Sequence, residues 1–535
     1  MNRPNQRSLA IVLTAAACAS CSSDKPTQPN ILFIMSDDHT SQAVGIYGSR
    51  LAALDPTPTI DRIGREGMVM ENAFCTNSIS TPSRACIISG QYSQTSGVLD
   101  LADTLQIANQ NLPIVMKSLG YETAMVGKWH LGEQPEMFDY YNVYYGQGTY
   151  FDPVLYEKGC TDSLIVKMSG PKLLPGKAYK GHESDVVTDI SLDWLENKRD
   201  KSKPFFLCHQ FKAPHDFFEF NPRYKDYLED IFIPEPESLW QEGNHGSAAT
   251  RGYNDSLRDT IGSSVGRRNR GRDMGRDLKM NLSKSLSDDE YKRAAYQEYL
   301  KRYLRCVKGV DDNVKRIFDY LEANNLMDNT IIVYTGDQGF FLGEHDYIDK
   351  RWMYEEAMRM PFLVRYPAKI KAGSRSDAIV NNVDYAATLI EMAGGQVPDV
   401  MQGDSFKEIL YTGNEPEGWK SSTYYRYWMH MAHRHNNPAH FGVRTKDYKL
   451  IFFYGVNYDD IIPPRSLSKF QTPPGWELYD LKKDPREMNN VYGQAEYAQI
   501  TGELKAELKR LREEYNEGDE KYPHIQKIID LNWNK

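Results

Sequence analysis

Cysteine is scarce in this chain, with seven residues among 535 and no Cys-x-x-Cys pair. Cys18 and Cys21 lie near the start; Cys75, Cys86, Cys160, Cys208 and Cys306 are odd in number and widely spaced. That pattern excludes a disulfide framework and a thiolate zinc site, and leaves most of the five as small buried hydrophobes. Long apolar runs are also missing: Leu9 to Ala17 is too short to span a membrane. Nor is there an excess of positive charge. Lys and Arg total 64 against 73 Asp and Glu, a formal net charge of −9, which argues against a nucleic-acid binder held by bulk charge. What is present is the composition of an ordinary globular protein, 40% hydrophobic and 26% charged, long enough for one large and one smaller domain.

The first 29 residues read as targeting sequence. Arg3 and Arg7 precede the apolar run, which ends in Ala15-Ala16-Ala17-Cys18 and Ala19-Ser20-Cys21. Residues 1–21 are therefore expected to be a lipoprotein-type signal peptide, with Cys18 or Cys21 as the lipid attachment site, or else a simple cleaved signal. Residues 22–29 are polar and serve as a tether. The expected location is the bacterial periplasm or cell surface, with the membrane met only through the lipid.

From Asn30 onward, continuous apolar runs alternate with helical patterns. The runs Asn30 to Met35, Pro204 to His209, Thr330 to Tyr334 and Pro361 to Arg365 suit strands buried on both faces. Helical patterns occupy Pro58 to Glu66, Asn111 to Leu119, Val186 to Lys198 and Asp288 to Asn325. The alternation predicts an α/β fold, a large mainly parallel sheet sandwiched by helices over residues 30–412, with chemistry gathered outside the C-terminal strand ends. Residues 240–287 break the pattern with a polar stretch rich in Gly, Arg, Asn and Ser, read as a long loop or insertion. Residues 413–535 change character again: Trp419 to Tyr427 and His440 to Tyr454 look like antiparallel strands, and Gln494 to Glu514 is a charged amphipathic helix. They predict a smaller α+β domain packed against the first.

The residues with chemistry to offer sit beside these runs. In Ser80-Thr81-Pro82-Ser83-Arg84, Thr81 can cap a helix, Pro82 suits its first turn and Gly90 can end it. Ser80 then lies at the positive end of a helix, beside a cation. Asp37-Asp38 follow the first apolar run directly, and Asp337-Gln338 follow Thr330 to Tyr334 in the same way. Taken alone an acidic pair is a turn or a cap, but two pairs at equivalent strand ends make an oxygen-rich pocket for a hard cation such as Ca²⁺ or Mg²⁺. Gly127-Lys128-Trp129-His130-Leu131-Gly132 follows the apolar segment Thr123 to Val126, Pro214-His215 follows the run to His209, and Gly343-Glu344-His345 leads to Lys350.

These motifs resemble those of the type I, formylglycine-dependent sulfatases of the alkaline phosphatase superfamily. Ser80 to Arg84 matches the signature in which Cys or Ser precedes x-Pro-Ser-Arg, and the resemblance extends to Trp476-Glu477-Leu478-Tyr479-Asp480 near the end. It implies that Ser80 is oxidised to formylglycine by a sulfatase-maturating enzyme of the oxygen-independent type. It implies one Ca²⁺ held by Asp37, Asp38, Asp337, Gln338 and the modified Ser80, with Gln338 standing where many members have Asn or His. Arg84, Lys128 and Lys350 would surround the sulfate. One hydroxyl of the formylglycine hydrate would attack sulfur while His215 protonates the leaving oxygen; His130 would take a proton as sulfate is expelled. His209 and His345 receive no catalytic role.

The substrate expected from the resemblance is a sulfated oligosaccharide. Asn142 to Tyr150, with Gly146-Gln147-Gly148, resembles a segment of sulfatases acting on 6-sulfated N-acetylglucosamine. A terminal 6-O-sulfated N-acetylglucosamine of host glycosaminoglycan or mucin is therefore preferred, with another sulfated hexose or a uronic acid as the alternative. Tyr425, Arg426, His430, His433, Arg434, His435 and His440 form a polar and aromatic stretch that could line the pocket from the second domain. Two further readings stay open: a phosphatase or phosphodiesterase of the same superfold, and a non-catalytic glycan-binding lipoprotein.

Overall fold

The computed structural model describes residues 28–167, 170–251, 264–265, 278, 280–283, 285–459 and 471–535. The expected signal peptide, most of the tether and the arginine-rich part of the insertion lie outside the described residues.

Four neighbouring pairs of strands build the centre of the large sheet, and all four run parallel. Thr330–Gly336, Asn30–Ser36, Phe205–Phe211, Glu122–Gly127 and Tyr140–Tyr144 lie side by side in that order. Alternate residues of the first strand point to opposite faces, Ile31, Phe33 and Met35 into one core and Leu32 and Ile34 into the other. Both faces are dry, which is why these strands read as unbroken apolar runs. One face is covered by the helices Pro58–Arg65, Glu183–Asp193 and Asp288–Ala323; the other carries Ser80–Ser89, Leu112–Ser118 and Asp384–Met392. The 36-residue helix from Asp288 starts from a capping box between Ser287 and Glu290.

The sheet is mixed because its flanks reverse direction. Phe362–Arg365 pairs antiparallel with Thr330–Gly336, and Met68–Phe74 with Phe362–Arg365. On the far side Val154–Glu157 runs antiparallel to Tyr140–Tyr144. With Ser374–Asn381 joining parallel to Met68–Phe74, the sheet has 11 strands.

The second sheet is a four-stranded antiparallel meander, Ser422–Tyr427, His440–Thr445, Tyr448–Phe453 and Gly475–Asp480. Tyr425, Tyr427, Ile451 and Phe453 join the core of the large domain, whereas Tyr424, Phe441, Val443 and Phe452 pack under the helices Ala498–Glu514 and Pro523–Asn532. Period-two alternation thus glues this sheet to the first domain with one face and covers the other with its own helices.

One detail of the sequence reading changes. The helix of the Ser80 motif begins at Ser80 itself, with Ile79 in the capping position, so Thr81 is not the cap. Its hydroxyl instead donates to the His130 carbonyl at 3.1 Å, tying the helix to the neighbouring motif. Gly90 does end the helix, at φ 66°, where a side chain would be strained. Among the described cysteines none is in a disulfide and four are buried.

Candidate active site

Register brings the motifs together. Ser36 pairs with Gly336 on one side and with Phe211 on the other, while Gly127 pairs with Gln210. The residues that follow, Asp37, Asp337, Lys212 and Lys128, therefore leave the sheet at one edge. Ser80 enters from the helix above and Lys350 from the loop after Ile348–Asp349.

The result is a buried knot of three carboxylates and three cations. Ser80 Oγ donates to Asp37 Oδ1 at 3.2 Å, and Lys128 makes a close ion pair with the other oxygen of Asp37. Arg84 Nε meets Asp337 Oδ2 at 3.0 Å; its Nη1 donates to the Lys128 carbonyl at 2.7 Å and to Gln210 Oε1 at 2.6 Å. Lys350 Nζ straddles both oxygens of Asp38 at 2.7 and 2.6 Å. Asp337 Oδ1 accepts the backbone N–H of Asp38 at 3.0 Å and of Gln338 at 3.1 Å, locking the two acidic pairs to each other. His215 Nε2 lies 3.8 Å from Asp38 Oδ2, and its Nδ1 lies 2.7 Å from Asp216 Oδ1. Asp37, Asp38, Asp337, Gln338, Ser80, Arg84, Lys128, His215 and Lys350 thus converge, and His130, whose carbonyl accepts the Thr81 hydroxyl, lies in the fields of Lys128, Arg84 and His215.

Burial works against charge throughout the site, and the charged neighbours decide which groups resist it. Burial raises Asp38 to about 7, with the carboxylates of Asp337 and Asp349 adding to it against the pull of Lys350. Burial also pushes Asp337 up, but Arg84 and Lys128 outweigh it and hold that carboxyl below its ordinary value. Burial, then the neighbouring Lys212, pulls Lys128 well down. His215 is lowered to about 3 by burial and then by Lys128 and Lys350, and His130 falls well below its ordinary value for the same kinds of reason.

The donor set suits a divalent cation. Gln338 turns its amide nitrogen to Asp38, while its buried carbonyl oxygen has no hydrogen-bond partner among the described residues. Asp37, Asp38 and His215 can bring ligand atoms within 4.8 Å of one another. Carboxylate, amide and hydroxyl oxygens in excess over one imidazole fit a hard cation, and a bound ion would return Asp38 to its ionised form.

The sulfatase family profile matches residues 29–395, 367 of the 535 positions. This chain belongs to the sulfatase family. A second profile, the C-terminal region of N-sulphoglucosamine sulphohydrolase, matches residues 343–463 and 464–514. An N-acetylglucosamine-6-O-sulfatase of Bacteroides thetaiotaomicron is 38% identical over 539 aligned positions, covering 95% of this chain and 90% of that protein. An arylsulfatase of Clostridium perfringens is 24% identical, covering 92% of this chain and 97% of that one. Among solved structures, a complex of an enzyme with its substrate D-glucosamine-2-N,6-O-disulfate superposes with TM-score 0.75 at 37% identity, covering 92% of this chain and 99% of the other. This sulfatase is accordingly a hydrolase of sulfuric esters, in a family that works with formylglycine and a metal ion.

The site also takes in Gln147, His433 and His435, from segments the sequence pointed to, and Asp349 and Arg351, which it did not single out. Gln147 Oε1 accepts from Lys128 Nζ at 2.6 Å, giving the Gly146–Gly148 segment a contact at the site. Asp349 and Arg351 flank Lys350 in sequence and meet each other at 2.8 Å. From the second domain His435 Nδ1 lies 3.1 Å from Asp349 Oδ2, and His433 Nδ1 lies 3.3 Å from Arg351 Nη2. Being adjacent to the motif lysine Lys350 was the only signal Asp349 and Arg351 carried.

Of the rest of the expected second-domain cluster, Tyr425, Arg426, His430 and His440 are held by partners elsewhere. Arg426 is buried in ion pairs with Glu517 and Asp519 behind the meander. His440 is buried against Tyr425 and Phe453, with its Nδ1 at the Pro438 carbonyl. His430 accepts from the Ala439 backbone N–H, and the Tyr425 hydroxyl accepts from that of Ser78. Strand alternation and the turn at Met431, not sequence proximity, decide which of these face the pocket; the Arg434 side chain lies outside the described residues. His209 is strand core, bonded to Ser191, and His345 stacks on His245 with centroids 3.9 Å apart.

Proposed function

We propose that this sulfatase removes the 6-O-sulfate from a terminal glucosamine residue, N-acetylated or N-sulfated, of a glycosaminoglycan or mucin glycan. The observation that carries the substrate is full-length similarity to an enzyme named for that reaction and to one solved with a 6-O-sulfated glucosamine. Asp349 and Arg351, a charged pair beside the sulfate-facing Lys350, supply an acceptor and a fork of donors suited to sugar hydroxyls. His433 and His435 extend that wall from the second domain.

On this reading Ser80 is converted to formylglycine by a maturating enzyme. As an aldehyde hydrate, the side chain supplies one hydroxyl to attack sulfur and a second whose loss of a proton re-forms the aldehyde and expels the sulfate carried by the first. Asp37, Asp38, Asp337, Gln338 and the modified Ser80 would hold Ca²⁺, which would supply positive charge to a bound sulfate. Arg84, Lys128 and Lys350 spread further positive charge around the same group, where negative charge is dispersed in the transition state. In the free site burial, and then the two lysines, hold the proton off His215. A sulfate ester offsets them with its own charge, and His215, braced at Nδ1 by Asp216, can then carry a proton to the leaving sugar oxygen. His130 is placed to accept the proton released when sulfate is expelled. A lipid on Cys18 or Cys21 would hold the enzyme at the bacterial surface or in the periplasm, where such glycans arrive.

The test is mass spectrometry of the Ser80 peptide together with turnover of a panel of sulfated sugars, with and without chelator. Matured protein is expected to prefer the 6-O-sulfated glucosamines, to lose activity to chelator and to regain it with Ca²⁺. Ser80→Ala should abolish turnover. Full turnover by protein with intact Ser80 would overturn the nucleophile; preference for another sulfated sugar would overturn the substrate.

A further inference from the structure

The structure assigns Glu183 and Tyr150 the task of holding His215 in line with the leaving oxygen; we infer this from the way the turn carrying His215 is fastened. The inference rests on the reading of His215 as leaving-group acid. His215 lies four residues past the strand Phe205–Phe211, on a turn without regular structure of its own. Such a turn aims a side chain only if neighbours fix its backbone, and proton transfer is sensitive to that aim.

Glu183 fixes both ends of this one. Its two carboxylate oxygens accept the backbone N–H groups of Lys212 at 3.2 Å and Ala213 at 3.0 Å, where the chain enters the turn. The exit is held by Tyr150, whose hydroxyl donates to the His215 carbonyl. The Tyr150 carbonyl accepts the N–H of Glu183 itself, at 2.7 Å. One residue thus grips the entry with its side chain and the exit through a tyrosine. Glu183 is fully buried at the first position of its helix, and its oxygens also receive Ser184 Oγ at 2.6 Å and the Tyr144 hydroxyl at 3.3 Å. The Lys212 ammonium lies over the Tyr150 ring, 5.0 Å from its centroid, closing the clamp on its other face. Both are positioning residues, since they act through His215. The carboxylate matters chemically: a glutamine has one acceptor oxygen, and its NH₂ would face one of the two backbone donors.

The leaving group gives a readout that loss of structure would not. A sugar alkoxide is a strong base and needs its proton at bond cleavage, whereas a nitrophenolate leaves nearly unaided. kcat/KM would be measured on a 6-O-sulfated glucosamine and on 4-nitrophenyl sulfate for matured parent, Glu183→Gln, Tyr150→Phe, His215→Ala and the Glu183→Gln/His215→Ala double variant. Glu183→Gln is expected to lose about 10- to 100-fold on the sugar ester and less than about threefold on the aryl ester, a fraction of what a general acid contributes. Tyr150→Phe should show the same selectivity in smaller measure. In the His215→Ala background Glu183→Gln should add little. If His215→Ala is selective for the sugar ester while Glu183→Gln and Tyr150→Phe slow both esters equally, the positioning role is overturned and the acid stands. If His215→Ala itself slows both equally, the acid assignment falls and the positioning role with it. Should Glu183→Gln fail to fold, Tyr150→Phe, which deletes a single hydroxyl, decides.

Discussion

Arg84→Lys keeps the charge of the motif and removes its shape. Arg84 is about 1% exposed and joins three structural pieces: the Asp337 carboxylate, the backbone carbonyl of Lys128 and the amide of Gln210. A lysine ammonium can follow one of these, and Asp337 is the partner it cannot leave unpaired. The bonds to Lys128 and Gln210 are then lost, and a hydrogen bond involving a charged group contributes about 1.5–3 kcal/mol. Allowing for partial relaxation, Arg84→Lys should lower the unfolding free energy by about 3 kcal/mol, a large fraction of the 5–15 kcal/mol typical of a folded domain. Complete removal in Arg84→Ala leaves Asp337 buried without its nearest cation and should cost more, about 3–5 kcal/mol. Because Lys128 and Asp337 both shift, kcat/KM should fall by about 10²-fold or more, the scale of one misplaced charge-stabilising group. The assay is urea unfolding beside turnover, with mass spectrometry matching the extent of Ser80 conversion between samples. A lysine variant within about 1 kcal/mol and threefold of its parent would refute the claim that guanidinium geometry, not charge, organises the pocket.

Gly127 precedes Lys128 at φ 100°, and a Cβ there would run into the backbone carbonyl of Gln210. Gly127→Ala should therefore destabilise by about 2–5 kcal/mol and lose activity even where it folds; near-parent stability in urea would show that the strand end can give way. His440 is held down to about 3 by burial, so the folded protein keeps it neutral while the unfolded chain takes up a proton below its ordinary 6.5. The unfolded state then binds more protons between those two values, and stability falls as pH drops through that window. At pH 5 this one imidazole should cost about 2 kcal/mol relative to pH 7.5. His440→Gln should shrink the pH 7.5-to-5 difference in unfolding free energy by that amount, and an unchanged difference would refute it.

The strands, the helices and the motif residues were legible because each is a local signal. A strand buried on both faces must be apolar throughout, so Asn30 to Met35 and Thr330 to Tyr334 could be read directly. The short flanking strands Val154–Glu157 and Arg359–Met360 could not, since two to four residues at a sheet margin carry no period. The start of the Ser80 helix lies two residues earlier than read, with Ile79 in the capping position, and Thr81 spends its hydroxyl on His130, a partner 49 positions away.

By itself, then, the sequence determined which residue types were available for sulfate-ester chemistry, and that each followed a strand or opened a helix. Only the tertiary structure decided that Ser36, Gly336 and Phe211 end in register, so that charges more than 300 residues apart share one pocket. It alone decided that Glu183 and Tyr150 fasten the His215 turn, and that His433 and His435 face Lys350's neighbours while Arg426 and His440 turn inward. The reason is physical: hydrogen-bond register and the two-residue period of a strand fix which side chains meet, and neither distance along the chain nor residue type carries that information.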